Sequence, residues 1–175
     1  MLMTCHVHSV HRMGVWGERI VSVTTSTAPT PPPAPLPFFV YGTLRPGEGN
    51  HGLFLRGRTR SEEPARLSGV VLYDGPGYPY AVEEPGGLVR GDLVAARPDE
   101  YGEVLTALDR LEGYVAGDPR SLYERIEREV VRETDGATVR AWVYVAGPSV
   151  TRQLRTEGVR IEGGDWRTRH ARHRV

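Results

Sequence analysis

Lysine is absent: all 22 basic residues are arginine, which removes Schiff-base and other lysine chemistry from the reactions open to this chain. Cysteine is nearly absent as well. Cys5 stands alone, so the fold can hold no internal disulfide and no multi-cysteine metal site, and a reducing compartment, the cytoplasm, is expected. Net charge is also missing, because 22 acidic residues balance the 22 arginines, and no overall field would draw the protein onto nucleic acid or an anionic membrane. No apolar run approaches the roughly 20 residues that a spanning helix needs. His6, His8, His11 and Arg12 also interrupt the N-terminus where a secretory signal would be apolar. These absences point to a diffusible small molecule as the partner, with no nucleic acid and no membrane.

The 175 residues suit one hydrophobic core and therefore one site. From Thr24 to Pro37 the sequence runs TTSTAPTPPPAPLP, a composition that cannot pair into a sheet. The expected organisation is a disordered extension over 1–35, a folded domain over 36–166 and a basic tail over 167–175. Trp166 is expected to pack on the domain, and the tail to be solvated.

The pattern within the domain predicts five strands and one long helix. Phe38, Phe39 and Val40 form an apolar run that stops at Gly42 and Pro46-Gly47, a buried strand followed by a loop. Residues Ala65 to Tyr73 and Leu88 to Ala95 are β-rich, separated by the turn compositions DGPGYP and EEPGG. Two further strands, Tyr123 to Arg132 and Thr138 to Val145, flank a hairpin turn at Thr134-Asp135-Gly136. Pro98 to Glu112 reads as a helix, with proline early, acidic residues in its first turn and Gly113 just past its end. The fold class is α+β: a mostly antiparallel sheet or small barrel with one principal helix.

That helix carries the first candidate. Tyr101, Val104, Leu105, Leu108 and Leu111 gather on one face, with Glu103 and Arg110 opposite. Glu112, four residues after Leu108, falls on the apolar arc, where desolvation would raise its pKa toward the range of a group that both takes and returns a proton. The other reading is a frayed helix-end acid turned to solvent. Asp109, at the edge of the arc, could point to water.

The second candidate is the loop YGTLRPGEGNH. Gly42 lets the chain turn, so amides from Gly42 to Arg45 could meet an anion, with hydroxyls of Tyr41 and Thr43 at the rim. No phosphate-cradle pattern is present. His6, His8, His11, His170 and His173 lie in the two tails and suggest no metal site, and His51, alone after the loop, reads as a structural or rim residue. Glu83 or Glu84 is a rival acid, and Arg167, Arg169, Arg172 and Arg174 in the tail are rival phosphate contacts for RNA.

Taken in order, VYGTLRPGEGNH, GYPYAV, VRGDLV, LDRLEGY, YERIEREV and VRAWVYV resemble the gamma-glutamylcyclotransferase-like (AIG2-like) superfamily. The resemblance covers about Phe38 to Val145, and the ordered pair Tyr-Gly-Thr-Leu and Leu-Asp-x-x-Glu-Gly is its most specific part. It implies a small mixed barrel whose loop, here Tyr41, Gly42, Thr43 and Leu44, holds the α-carboxylate and amine of a gamma-glutamyl group. Glu112 would be the catalytic acid and base, Tyr123 would lie close to it, and Pro79 and Tyr80 would sit in a loop near the pocket. The implied reaction is attack of the substrate's α-amine on its own γ-carbonyl, releasing 5-oxoproline with no metal or cofactor. The alternative is a non-catalytic binding module on the same fold. The loop Val115 to Leu122 is expected to help choose the leaving amine.

Overall fold

The computed structural model describes residues 35–168. The expectations for residues 1–34 and for Arg169, His170, Arg172, His173 and Arg174 lie outside them. Five strands, β1 (Phe38–Val40), β2 (Thr59–Asp74), β3 (Pro79–Ala96), β4 (Tyr123–Arg132) and β5 (Thr138–Ala146), close a barrel in the order β1-β3-β2-β4-β5. All paired neighbours are antiparallel except β1 and β5, which meet in parallel at Phe38 and Trp142. Three α-helices, α1 (Gly49–Phe54), α2 (Tyr101–Leu111) and α3 (Pro148–Glu157), and a short 3-10 helix at Glu162–Gly164 complete the described fold.

Two-residue alternation along the first strand divides the core, because successive side chains point to opposite faces. Phe39 and Tyr41 join the cluster that contains Leu67, Leu72, Val89, Val143 and Trp166. Phe38 and Val40 join the cluster of Leu55, Val104 and Leu108, which seats α1 and α2 against the barrel. Trp166 is 1% exposed, so the segment after α3 packs into the core as its sequence suggests.

The β2–β3 hairpin is longer than its β-rich runs. EEPGG does not end a strand: the register steps from Val70 opposite Glu83 to Ser68 opposite Leu88, so a wide bulge takes up Glu84 to Gly87. Gly69 and Gly86 supply the positive φ angles, +77° and +82°, that this irregularity requires. Pro79 and Tyr80, expected in a loop, begin β3 opposite Asp74 and Tyr73. The hairpin at 134–136 forms as expected, with Asp135 Oδ1 accepting from the Ala137 amide at 3.0 Å.

Helix α2 starts at Tyr101, not Pro98, and α3 is nearly as long. Periodicity missed α3 because only Val150 and Leu154 pack on the body, against the cluster of Tyr73, Val82 and Ala146. Pro148 in its first turn was the readable signal. None of the helices in the described residues is long and apolar enough to cross a membrane.

Candidate active site

Strand β1 leads into a cavity of about 180 Å³, room for a small molecule. Tyr41, Gly42, Thr43, Leu44, Pro79, Glu112 and Tyr123 line it, seven of the eight residues expected there. Tyr80 does not. It stands behind the wall, stacked on Tyr123 at 5.3 Å between ring centroids, and its hydroxyl donates to that of Tyr78 at 3.2 Å.

The loop differs from its sequence reading in three details. Gly42 has no left-handed backbone; it is glycine because a Cβ there would lie 2.7 Å from Cδ and Cγ of Pro79. The Arg45 amide is consumed by the turn, donating to the Gly42 carbonyl at 3.1 Å. The amides of Gly42, Thr43 and Leu44 remain, with no acceptor among the described residues. The Tyr41 hydroxyl is not at the rim either. Tyr41, just past β1, packs in the same core cluster as Phe39 and donates to the Tyr144 carbonyl at 2.7 Å. Burial, then the nearby charge of Glu112, raises its pKa well above that of a free phenol.

Thr43 joins the loop to α1. Its carbonyl accepts from the amides of Asn50 and His51 at 3.0 and 3.2 Å, and its hydroxyl oxygen accepts from Asn50 Nδ2 at 2.9 Å. Asn50 lines the cavity, a role that sequence reasoning did not assign. Its place within the loop run YGTLRPGEGNH was the available signal. His51 is structural: buried, outside the cavity lining, with Nε2 2.8 Å from Glu62 Oε1.

Glu112 caps the C-terminus of α2 with its backbone still helical, φ −82° and ψ −2°, and its amide donates to the Leu108 carbonyl at 2.9 Å. Gly113 turns the chain only afterwards, at φ +60°. Its side chain therefore follows the helical arc into the cavity instead of fraying toward water. The residue is half-buried, and its carboxyl makes no hydrogen bond or ion pair with another described residue. Desolvation pushes that carboxyl up to about 7.

Asp109 does not point to bulk water. Both its oxygens accept from Arg125 Nη1, at 2.9 and 2.7 Å, and Oδ1 also accepts from the Tyr144 hydroxyl at 2.7 Å. Arg125 in turn lies over the rings of Tyr114 and Trp142, 5.2 and 4.9 Å from their centroids.

Aromatic residues complete the wall. The Tyr123 hydroxyl donates to the Pro79 carbonyl at 3.0 Å. Burial above all, with Tyr41 and Glu112 close by, raises its pKa, so it faces the site as a neutral phenol. Leu111 and Leu122, 37% and 51% exposed, stand at the mouth with Tyr78. Of the loop 115–122, only Leu122 lines this cavity; Val115, Gly117, Asp118, Pro119 and Ser121 line another cleft. No arginine lines the cavity among the described residues.

The rival acids lie elsewhere. Glu83 pairs with Arg128, and Glu84 with Arg160, on the barrel surface. Arg167, expected in a solvated tail, reaches back to the Pro46 carbonyl and to Glu48. Among the described residues, no group of three His, Cys, Asp or Glu side chains is placed to hold a metal.

Comparisons with known proteins agree with this geometry. The family described as gamma-glutamyl cyclotransferase, AIG2-like matches residues 38–168. A curated protein of Niallia circulans, gamma-L-glutamyl-butirosin B gamma-glutamyl cyclotransferase, is 38% identical over 122 residues, which is 68% of this chain and 72% of that protein. A solution structure from Arabidopsis thaliana superposes with a TM-score of 0.55 at 29% identity, covering 79% of this chain and 76% of that one. An uncharacterized protein from Pyrococcus horikoshii shares the fold, with a TM-score of 0.52 at 23% identity, 81% of this chain and 100% of that chain. A matched barrel, a loop of free amides and an unpaired, half-buried acid at a helix end thus coincide in one place, and the chain belongs to the gamma-glutamyl cyclotransferase, AIG2-like family, a family of enzymes.

Proposed function

We propose that the protein cyclises gamma-glutamyl amines, releasing 5-oxoproline and a free amine, with Glu112 moving the proton. The observation that carries this reading is the unpaired Glu112 carboxyl, pushed up to about 7, in a cavity with the amides of Gly42, Thr43 and Leu44. The amides receive the substrate's α-carboxylate, since no arginine among the described residues lines the cavity. The substrate's α-amine, in its neutral form, attacks the γ-carbonyl carbon through its nitrogen and gives up one proton to Glu112. The tetrahedral centre then expels the leaving nitrogen, which takes its proton from Glu112 as the original amide C–N bond breaks. Both reacting groups belong to one bound molecule, so ring closure is intramolecular and the protein's main work is to hold the chain folded.

The mouth suggests the leaving group. Leu111, Leu122 and Tyr78 offer apolar contact and no cation, which suits an amine without a carboxylate beside the scissile bond. The Niallia circulans relative, named for gamma-L-glutamyl-butirosin B, makes that compound one member of the test panel. A cytoplasmic location, expected from the single cysteine, goes with this reading.

The test is 5-oxoproline release from a panel of gamma-glutamyl amines and gamma-glutamyl amino acids, by the native chain and by Glu112→Gln, with folding checked by circular dichroism. Release that falls by about 10²–10⁴-fold in the folded variant is the expected result. No release from any compound would leave a binding module on this fold.

A further inference from the structure

In the middle of the loop, just after Leu44, stands a buried cation that does not face the cavity. Arg45 is 6% exposed and does not line the cavity. Its Nε donates to Asp92 Oδ2 at 2.6 Å and its Nη1 to Asp165 Oδ1 at 2.8 Å. Asp92 lies opposite Val40 in the β1–β3 register, directly behind the loop's origin. Asp165 comes from the far end of the chain, 120 positions away.

The segment around Asp165 grips the same loop a second time. Trp166 anchors it in the barrel core, and Asp165 Oδ1 also accepts from the Arg167 amide at 3.0 Å. Arg167 then donates to the Pro46 carbonyl and lies 3.4 Å from Glu48 Oε1. The loop is thus held from behind by Arg45 and at its far end through Pro46 and Glu48.

We propose that Asp165–Arg167 is a clasp that sets the geometry of the substrate loop, with Arg45 and Asp165 as positioning residues that never touch substrate. A buried cation between two carboxylates has one satisfactory arrangement, because moving it away from either leaves a buried charge uncompensated. Fixing Arg45 fixes the turn it closes onto Gly42, and with it the free amides of Gly42, Thr43 and Leu44. Small displacements of groups that orient a substrate have large effects on its use. This inference rests on the reading that those amides bind the gamma-glutamyl group.

The experiment uses the full chain carrying Asp165→Asn, with steady-state kinetics and amide hydrogen exchange measured together. The expected result is a KM raised on the order of tenfold, with kcat and its pH dependence unchanged. Exchange should quicken at the Arg45 and Glu48 amides and stay as it was in the middle of α2, and Asp165→Glu should recover part of both effects. A purely structural role would instead lower the melting temperature while leaving KM and loop exchange unchanged, which overturns the proposal. If Asp165→Asn does not fold, Arg167→Ala removes only the outer grip and should show the same changes at smaller size; no change there also overturns it. If no compound is turned over even by the native chain, the functional reading fails while loop exchange still decides the clasp.

Discussion

Asp109 and Glu112 lie three positions apart on one helix, and their surroundings treat the two carboxylates in opposite ways. Asp109 meets a guanidinium and a phenol, all its charge compensated by Arg125 and Tyr144. Glu112 meets aromatic and aliphatic walls, and desolvation raises its pKa to about 7. The first arrangement fastens the last turns of α2 to β4 and β5. The second leaves a carboxyl able to hold or release a proton near neutrality. The pair teaches that a helix end can be fixed by one acid so that another can stay unfixed.

Breaking the reactive side has the largest expected effect. Glu112→Gln should cost about 10²–10⁴-fold in turnover, and the same variant should be the more stable protein at pH 8. The sign follows from linkage: a carboxyl at about 7 in the folded chain and 4.5 when free binds more protons folded than unfolded. The native protein therefore loses stability as pH rises from about 4.5 to 7 and holds level above that. Denaturant midpoints at pH 5 and pH 8 should show a fall of about 1–3 kcal/mol in the native chain that the variant lacks.

Breaking the fastened side comes next. Asp109→Ala leaves Arg125 between two rings without its counterion and the Tyr144 hydroxyl without an acceptor. The expected cost is about 2–4 kcal/mol, read from equilibrium unfolding, with turnover reduced far less than by Glu112→Gln. Variants that lost equal activity would mean the division of labour is wrong.

The smallest effect sharpens the comparison from across the cavity. Gly42→Ala puts a methyl 2.7 Å from the Pro79 ring, at a cost of about 1–3 kcal/mol for overpacking. On the proposed function, in which the loop binds substrate and Glu112 transfers the proton, KM should rise more than kcat falls.

The strands and the apolar arc of α2 were legible in the sequence for physical reasons, while closure into a barrel and the inward turn of Glu112 were open alternatives there. Apolar spacing along α2 carried Glu112 into the arc of Leu108, and glycine after Glu112 ended the helix only once the side chain was placed. The turn Thr134-Asp135-Gly136 marked the hairpin of β4 and β5. The β2–β3 hairpin was underestimated because EEPGG looks the same whether it ends a strand or bulges within one. Partners distant in sequence were invisible: nothing local says that Gly42 meets Pro79, that Arg45 meets Asp165, or that Asp109 meets Arg125. Such contacts set which side chains stay free, and freedom is what separates Glu112 from Asp109.

The most direct measurement is the titration of the Glu112 side-chain carboxyl by carbon-13 NMR, taken as the difference between the native spectrum and that of Glu112→Gln. A midpoint near 7, matching the pH at which turnover reaches half its plateau, is the predicted result. A midpoint near 4.5, the value for a solvated glutamate, would contradict it.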